Sequence, residues 1–351
     1  MELDAAVAYE PALRMAVFVA VFAAVATWEA LLPRRHPGHA RRQRWPHNLG
    51  LLALDLFVLR LLAPGAAVGV AVAVEARGSG LLNALDVPPW AAVLLSVVLL
   101  DLAIYFQHVM FHAVPTLWRL HRVHHTDQEF DVTTGTRFHP LEILVSTAIK
   151  CAAVAAIGAP AIAVVLFEVL LNATSMFNHA NGRLPAALDR VARTLVVTPD
   201  MHRVHHSVRY NECSSNYGFN LPWWDRLFGT YRAQPLEGHA AMKIGVDAFR
   251  ENRDLRLDRL LLQPFRDTPG GYAINRRPGP ADELEPGLPE KWRPSCRSAL
   301  LRPRGPGRRQ QQARSRAPRR SRERSPATAA TARSTFTGDG NESPTGIDTS
   351  R

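Results

Sequence analysis

Residues 108–125 read HVMFHAVPTLWRLHRVHH, and HRVHH returns at 202–206; FHP around residue 139 and NH at 178–179 lie between them. Ten of the chain's 14 histidines fall in this window, eight of them in three boxes: His108 and His112; His121, His124 and His125; His202, His205 and His206. On a helix, HxxxH sets two rings one turn apart. HxxHH brings the first ring beside the fourth and fifth, so each box is expected to turn its rings toward roughly one face. A single buried histidine is usually a hydrogen-bonded core residue. Eight packed together without an ion would leave ring nitrogens unpaired at about 1–3 kcal/mol each. The spacing therefore predicts metal binding, and eight to ten rings are too many for one ion and suit two.

Outward from the boxes the chain is apolar. Residues 13–33 are long enough to span a bilayer, which needs about 20 apolar residues. RRHPGHARRQRWPH follows, with five Arg in fourteen residues, and short basic loops of this kind stay cytoplasmic. A second span is expected from Leu49 to Val74, with Asp55 and Arg60 inside it. A third starts at Trp90 and runs straight into His108, so HVMFH rides on its cytoplasmic end and Pro115 ends or kinks the helix. The apolar stretch 141–177 is split at Gly158-Ala159-Pro160. Each half is short for a full span, and together they predict a helical hairpin that dips into the bilayer and returns. Lys150 and Glu168 inside it are expected to face protein. Counting spans puts every box on the cytoplasmic side. The fold class expected is all-α: a multi-pass membrane helical bundle with a cytoplasmic histidine-rich helical cap and a disordered C-terminal tail.

The net charge of +11 belongs mostly to the tail: residues 296–351 hold thirteen Arg against four acids, which leaves +2 on residues 1–295. The basic balance is thus no argument for nucleic acid as a partner. The tail has no apolar periodicity and reads as disordered. Cys151, Cys213 and Cys296 stand far apart with no CxxC pair, which argues against a disulfide framework and a thiolate zinc site. The acidic start, Met1–Glu10, lacks the positive region of a cleavable leader. Four regions are expected: residues 1–89 with the first spans and basic loop, 90–235 with the boxes, 236–295 as a peripheral extension, and 296–351 as the tail. Trp223, Trp224, Phe228 and Tyr231 either sit at headgroup level or pack behind the metal site.

Imidazole suits iron, copper, zinc and nickel alike. The boxes hold little besides His and Arg, which disfavours hydrolysis, whereas a redox metal with open positions activates oxygen. The three boxes, with NYG at 216–218 and WDRLFGTYR at 224–232, resemble the fatty acid hydroxylase/sterol desaturase superfamily over residues 90–232. The resemblance implies a multi-pass membrane enzyme with a non-haem di-iron centre, using O2 and external reducing equivalents to hydroxylate or desaturate a lipid. It implies His108, His112, His121, His124, His125, His202, His205 and His206 as metal ligands. His179 corresponds to a less regular region, where Ser175 replaces a second histidine, and His139 in RFHPLE resembles a position found in part of the family. Only eight residues separate His112 from His121, closer than in the other membrane desaturase superfamily.

No reductase or cytochrome b5 segment is visible, so a separate electron donor is expected: a reductase, a ferredoxin or a cytochrome b5-like protein. Hydroxylation of a fatty acyl, sterol or related lipid is the leading reading, with desaturation on the same scaffold or a non-catalytic membrane metal-binding protein as alternatives. A transporter would carry its ionisable residues near the midplane. Asp127, Glu129, Asp131, Glu142, Asn178, Asp200 and Asp225 are candidates for orienting the rings through their second nitrogens, with Asp200 favoured for its nearness to His202.

Overall fold

The computed structural model describes residues 2–36 and 38–266. The expectations for the tail, and for residues 267–295, lie outside this range. The described chain is helical and contains no β-strand, only two isolated bridges, Pro33 with Gly182 and Ser207 with Ile244. Five stretches are long and apolar enough to cross a bilayer: Ala12–Leu31, Arg41–Ala84, Pro89–Ala113, Pro140–Ile157 and Ala161–Asn178.

Helix α1 covers Glu2–Leu31. The second expected span is not one helix: α2 (Arg41–Leu62) stops and α3 (Ala66–Ala76) starts again after Ala63-Pro64-Gly65. Pro64 has no N–H to continue the ladder and Gly65 takes φ 62. Asp55 is buried, whereas Arg60 lies on the exposed side. The one-turn α4 (Leu81–Ala84) leads to α5 (Pro89–Ala113), which is unbroken and carries His108 and His112 in its last two turns. Pro115 then opens α6 (Pro115–His125). The expected hairpin forms as α7 (Pro140–Ile157) and α8 (Ala161–Asn178), but each has 18 residues, about 27 Å at 1.5 Å per residue. Both are long and apolar enough to cross a bilayer, so the expectation of halves too short for a span is corrected. A Cβ on Gly80 would overlap the Cα of Gly158, so the α3–α4 link and the hairpin tip touch backbone to backbone. That meeting point marks the end of the bundle opposite the histidines.

Ala67, Ala71, Leu100, Ile104, Val154, Val164 and Phe167 pack α3, α5, α7 and α8 together. α1 lies on α8 through Val25 and Met176, with Phe18 and Phe22 beside them. Within the bundle the Glu168 carboxylate accepts from both Arg14 and Lys150, so the charges of the hairpin do face protein.

The remaining short helices build the cap: α9 (Ala186–Ala192), α10 (Pro199–His205), α11 (Tyr210–Cys213), α12 (Trp223–Phe228), α13 (Gly238–Ala241) and α14 (Leu257–Leu262). Residues 236–266 are an integral part of it. Gly245 N donates to the His206 carbonyl at 2.9 Å, and Leu260 of α14 packs on Leu51 and Val123.

Candidate metal centre

α5, α6, α8 and α10 end at one place, and each delivers its histidines there. Nine rings form two adjoining groups. His108, His112, His121, His125 and His205 make one, and His124, His179, His202 and His206 the other; within each group the ligand atoms lie within 4.8 Å of one another. All nine are buried, the most exposed being His108 at 6%.

The expectation that each HxxHH box turns all its rings to one face is corrected here. In both boxes the i and i+4 rings enter the same group, and the i+3 ring enters the other: His121 and His125 part from His124, and His202 and His206 part from His205. At 3.6 residues per turn, adjacent positions diverge by about 100°, so i+3 and i+4 flank the first ring on opposite sides. One short helix thus serves both groups.

Four rings are fixed through Nδ1, where a carbonyl or carboxylate must accept the ring N–H. His108 donates to Tyr217 O (2.8 Å), His179 to Ser175 O (2.7 Å), His205 to Ser215 O (2.7 Å) and His121 to Glu142 Oε1 (2.6 Å). This leaves the Nε2 lone pairs of these rings facing the groups. Those of His108, His121 and His205 have no hydrogen-bond partner, although buried. The remaining close approaches are between nitrogens: His112 Nε2 to His125 Nε2, and His179 Nε2 to those of His124 and His202, all at 3.1 Å. Nitrogens bound to one ion at about 2.1 Å lie about 3 Å apart when at right angles. Orphaned lone pairs at that spacing fit a metal ion in each group.

The electrostatics agree with this fit. Burial pushes His124, His125, His202 and His206 well below 6.5, with neighbouring rings adding to it. It lowers His179 to about 4 and His205 to about 3, despite the hydrogen bonds to Ser175 and Ser215 that act the other way. These six rings are therefore neutral at neutral pH, the state in which imidazole binds a metal.

His139 stands outside both groups. Its Nδ1 accepts from Leu141 N (3.1 Å) at the start of α7, and its Nε2 donates to Leu261 O (3.2 Å). Both nitrogens are spent on the backbone.

Of the seven candidate orienting residues, Glu142 alone bonds a clustered ring through its side chain. The favoured Asp200 does not: at the start of α10 it turns outward to Arg34 (3.1 Å) and to Arg203. Asp225 acts one step removed, accepting from the backbone N–H of Tyr217 and Gly218 (both 2.8 Å) and so holding the carbonyl that orients His108. Burial raises its pKa to about 6, against the hydrogen bonds it accepts. Asn178 Nδ2 donates to Phe219 O (2.9 Å), and Glu129 accepts from Gly38 N and His39 N.

Asp127 and Asp131 serve a clamp. Arg44, in the first turn of α2 within the basic stretch, donates Nε and Nη2 to the two Asp127 oxygens (2.7 and 2.6 Å) and Nη1 to Asp131 (2.7 Å). Burial alone would raise Asp127, but Arg44 and Arg137 hold it well below the usual carboxylate range. Arg34 and Arg35 likewise tie into the cap, Arg35 through the carbonyls of His239 and Met242. The basic loop therefore braces the histidine segment, a role its composition alone did not reveal. Asp101 of α5 was also missed, though a carboxylate in an apolar span is a visible signal. It accepts from Asn220 N (3.2 Å), Leu221 N (3.1 Å) and Trp224 Nε1 (2.8 Å).

The profile of the fatty acid hydroxylase family matches residues 93–230. An ornithine lipid hydroxylase of Rhizobium tropici is 31% identical over 41% of this chain and 42% of its own length. Human alkylglycerol monooxygenase is 30% identical over 38% of this chain and 29% of its own length. Mouse cholesterol 25-hydroxylase is 27% identical over 41% of this chain and 48% of its own length. The chain thus spans less than half the length of these curated relatives. No solved structure matches it. The matched residues 93–230 contain the nine clustered histidines together with Glu142, Tyr217 and Asp225, and it is this region of the chain that is similar to the fatty acid hydroxylase family.

Proposed function

We propose that this chain is a membrane-bound lipid hydroxylase whose nine clustered histidines hold two iron ions. His108, His112, His121, His125 and His205 hold one, and His124, His179, His202 and His206 the other. The observation that carries the reading is the division of three sequence boxes into two adjoining groups of buried rings, with the Nε2 atoms of His108, His121, His205 and His206 unpartnered. Bound there, the ions would supply the activation of O2 needed to insert one oxygen atom into a lipid C–H bond. The second oxygen would leave as water, with two electrons from a separate donor protein and two protons from solvent.

The chain's own residues position and seclude the centre. Tyr217, Ser215 and Ser175 fix His108, His205 and His179 through backbone carbonyls. Phe138 stacks on His124 at 4.7 Å, and Trp118 lies 4.9 Å from His112. These rings pack directly on the histidines, and a dry site strengthens every polar interaction within it. The substrate class is a membrane lipid, because the histidines sit at the end of a bundle of five candidate spans. The relatives named above are hydroxylases or monooxygenases, which supports hydroxylation over desaturation. The five arginines at the histidine end support a cytoplasmic orientation.

The test is metal analysis of the purified protein, followed by turnover of a lipid extract under isotopically labelled O2 with a reductant. Two irons per chain and one labelled oxygen in a lipid product are expected. Loss of two hydrogens without label indicates a desaturase. Tightly held zinc with no oxygen uptake indicates a metal-binding protein.

A further inference from the structure

One surface of the cap is inside-out. In α9 and the turn after it, Asp189 and Arg193 are buried at 8% and 6% exposure, while Leu188, Val191 and Leu195 stand 53%, 64% and 65% exposed. The buried charges pair with each other, and Thr198 Oγ1 donates to Asp189 at 2.6 Å. α12 repeats the pattern, with Asp225 fully buried and Trp223 and Leu227 exposed at 43% and 69%; of the exposed charges, Arg226 turns back to the carbonyls of Pro222 and Arg193, and Arg190 stands at the outer side of α9. Trp223 Nε1 donates to Thr194 O at 2.7 Å, which joins the two helices into one apolar face. A short helix in water buries its apolar side and solvates its charges. The reverse order suits a hydrocarbon surrounding, in which polar groups must be satisfied within the protein.

The position of this face agrees with its chemistry. The Phe228 ring stacks on Tyr105 at 5.4 Å and lies 5.1 Å from Phe106, both on the α5 span. Asp101, which binds Asn220 N, Leu221 N and the Trp224 indole, is seven residues before His108 on that helix. Seven residues correspond to about 10 Å of helix. The segment therefore runs down the flank of the span instead of resting above it. Its irregular backbone is sealed there by two carboxylates, Asp101 below and Asp225 above.

We propose that α9 and α12 are embedded in the acyl chains of the leaflet on the histidine side, as a monotopic element docked on α5. The occupant of the face is lipid hydrocarbon, continuous with the lipid that surrounds the exposed Phe106. The proposal is independent of which reaction the metal centre performs.

Site-directed spin labelling tests it in phosphatidylcholine vesicles. Leu188→Cys, Val191→Cys and Leu227→Cys are each made in the full chain with Cys151, Cys213 and Cys296 changed to Ala. Leu94→Cys on the α5 span is the lipid reference, and Glu251→Cys, whose side chain is 64% exposed, the water reference. Labels at 188, 191 and 227 should follow Leu94, colliding several-fold more with oxygen than with a water-soluble nickel chelate. Behaviour like Glu251 overturns the proposal, as does shielding from both reagents, which would indicate a second copy or a protein partner. In the otherwise unaltered protein, brominated phosphatidylcholine should quench part of the fluorescence, shared with Trp28 and Trp90 of the candidate spans, and the quenched part should fall in Trp223→Phe. Quenching unchanged by that substitution also overturns it.

Discussion

The carboxylate of Glu142, in the first turn of α7, accepts the Nδ1–H of His121 at 2.6 Å. A residue of one membrane helix thereby fixes the tautomer and rotation of a ring borne on α6. Such partners typically contribute 10–100-fold to metal affinity. Glu142→Leu should weaken metal binding at the five-ring group by about that factor, while Glu142→Gln, which keeps an acceptor oxygen, should retain most of it. Metal titration of the apo-protein gives the comparison, and a Glu142→Leu isotherm overlaying the wild type would show that the contact orients nothing.

The two histidine groups differ in redundancy. His124→Ala leaves three rings in its group, whereas His112→Ala leaves four in the other. With two ions bound as proposed, elemental analysis should find one of them lost in His124→Ala and a smaller loss in His112→Ala. His139→Ala should keep both, since that ring serves only the start of α7 and Leu261, and should cost about 1 kcal/mol as a cap substitution. Loss of an ion in the His139 variant would return that residue to the ligand set.

The sequence made the spans and the boxes legible because each is a local pattern: run length for the spans, residue spacing for the rings. What it hid depends on geometry or distance. The break at Pro64-Gly65 is marked by a local turn pair, but hydropathy averaged over the span carries across it. The division of HRVHH between two groups follows from the angle between i+3 and i+4, which spacing rules treat as equivalent. Asp200 was favoured for its nearness to His202, yet Glu142, 21 residues from His121, is the carboxylate that reaches a ring. The braces by Arg44, 83 residues from Asp127, and by Asp101, 119 residues from Asn220, are long-range pairings that no local pattern encodes.

Arg44 is completely buried and holds two carboxylates. Removing one partner of a buried pair leaves uncompensated charge, at about 3–5 kcal/mol. Arg44→Ala should therefore lower the unfolding midpoint strongly. Arg44→Lys should restore little, because a single ammonium cannot reproduce the fork that meets both Asp127 oxygens. Thermal unfolding in detergent measures both variants, and a Lys variant as stable as wild type would mean that charge alone matters.

Acid should destabilise the metal-free protein. A histidine in the unfolded chain takes up its proton near 6.5, whereas His179 does so only near 4 and His205 near 3 in the fold. Burial is the main cause of both shifts. Between those values the unfolded state binds more protons, so this stability is fully present above about 6.5 and is lost as pH falls toward 4 and then 3. Each unit of the gap corresponds to about 1.4 kcal/mol. Unfolding midpoints of the apo-protein should hold steady from pH 8 to 7 and drop progressively below 6.5. A midpoint flat down to pH 5 would mean that the rings are already charged in the fold.

Topology links the basic loop to the orientation of the centre. Arg34, Arg35, Arg41, Arg42 and Arg44 lie at the histidine end of the bundle, and the Gly80–Gly158 contact lies at the other. Arginines close to span ends resist translocation, so the histidine end should face the cytoplasm. Gln43→Cys and Asp258→Cys occupy exposed positions at that end, on α2 and on the α14 that packs against it, and Ala84→Cys is exposed at the opposite end. In sealed, inside-out vesicles an impermeant maleimide should label the first two at once and Ala84→Cys only after the vesicles are opened. The opposite pattern would reverse the orientation while leaving the fold intact. Labelling of Gln43→Cys and Asp258→Cys from different faces would be incompatible with the packing of Leu260 on Leu51, and with a metal centre closed by residues 236–266.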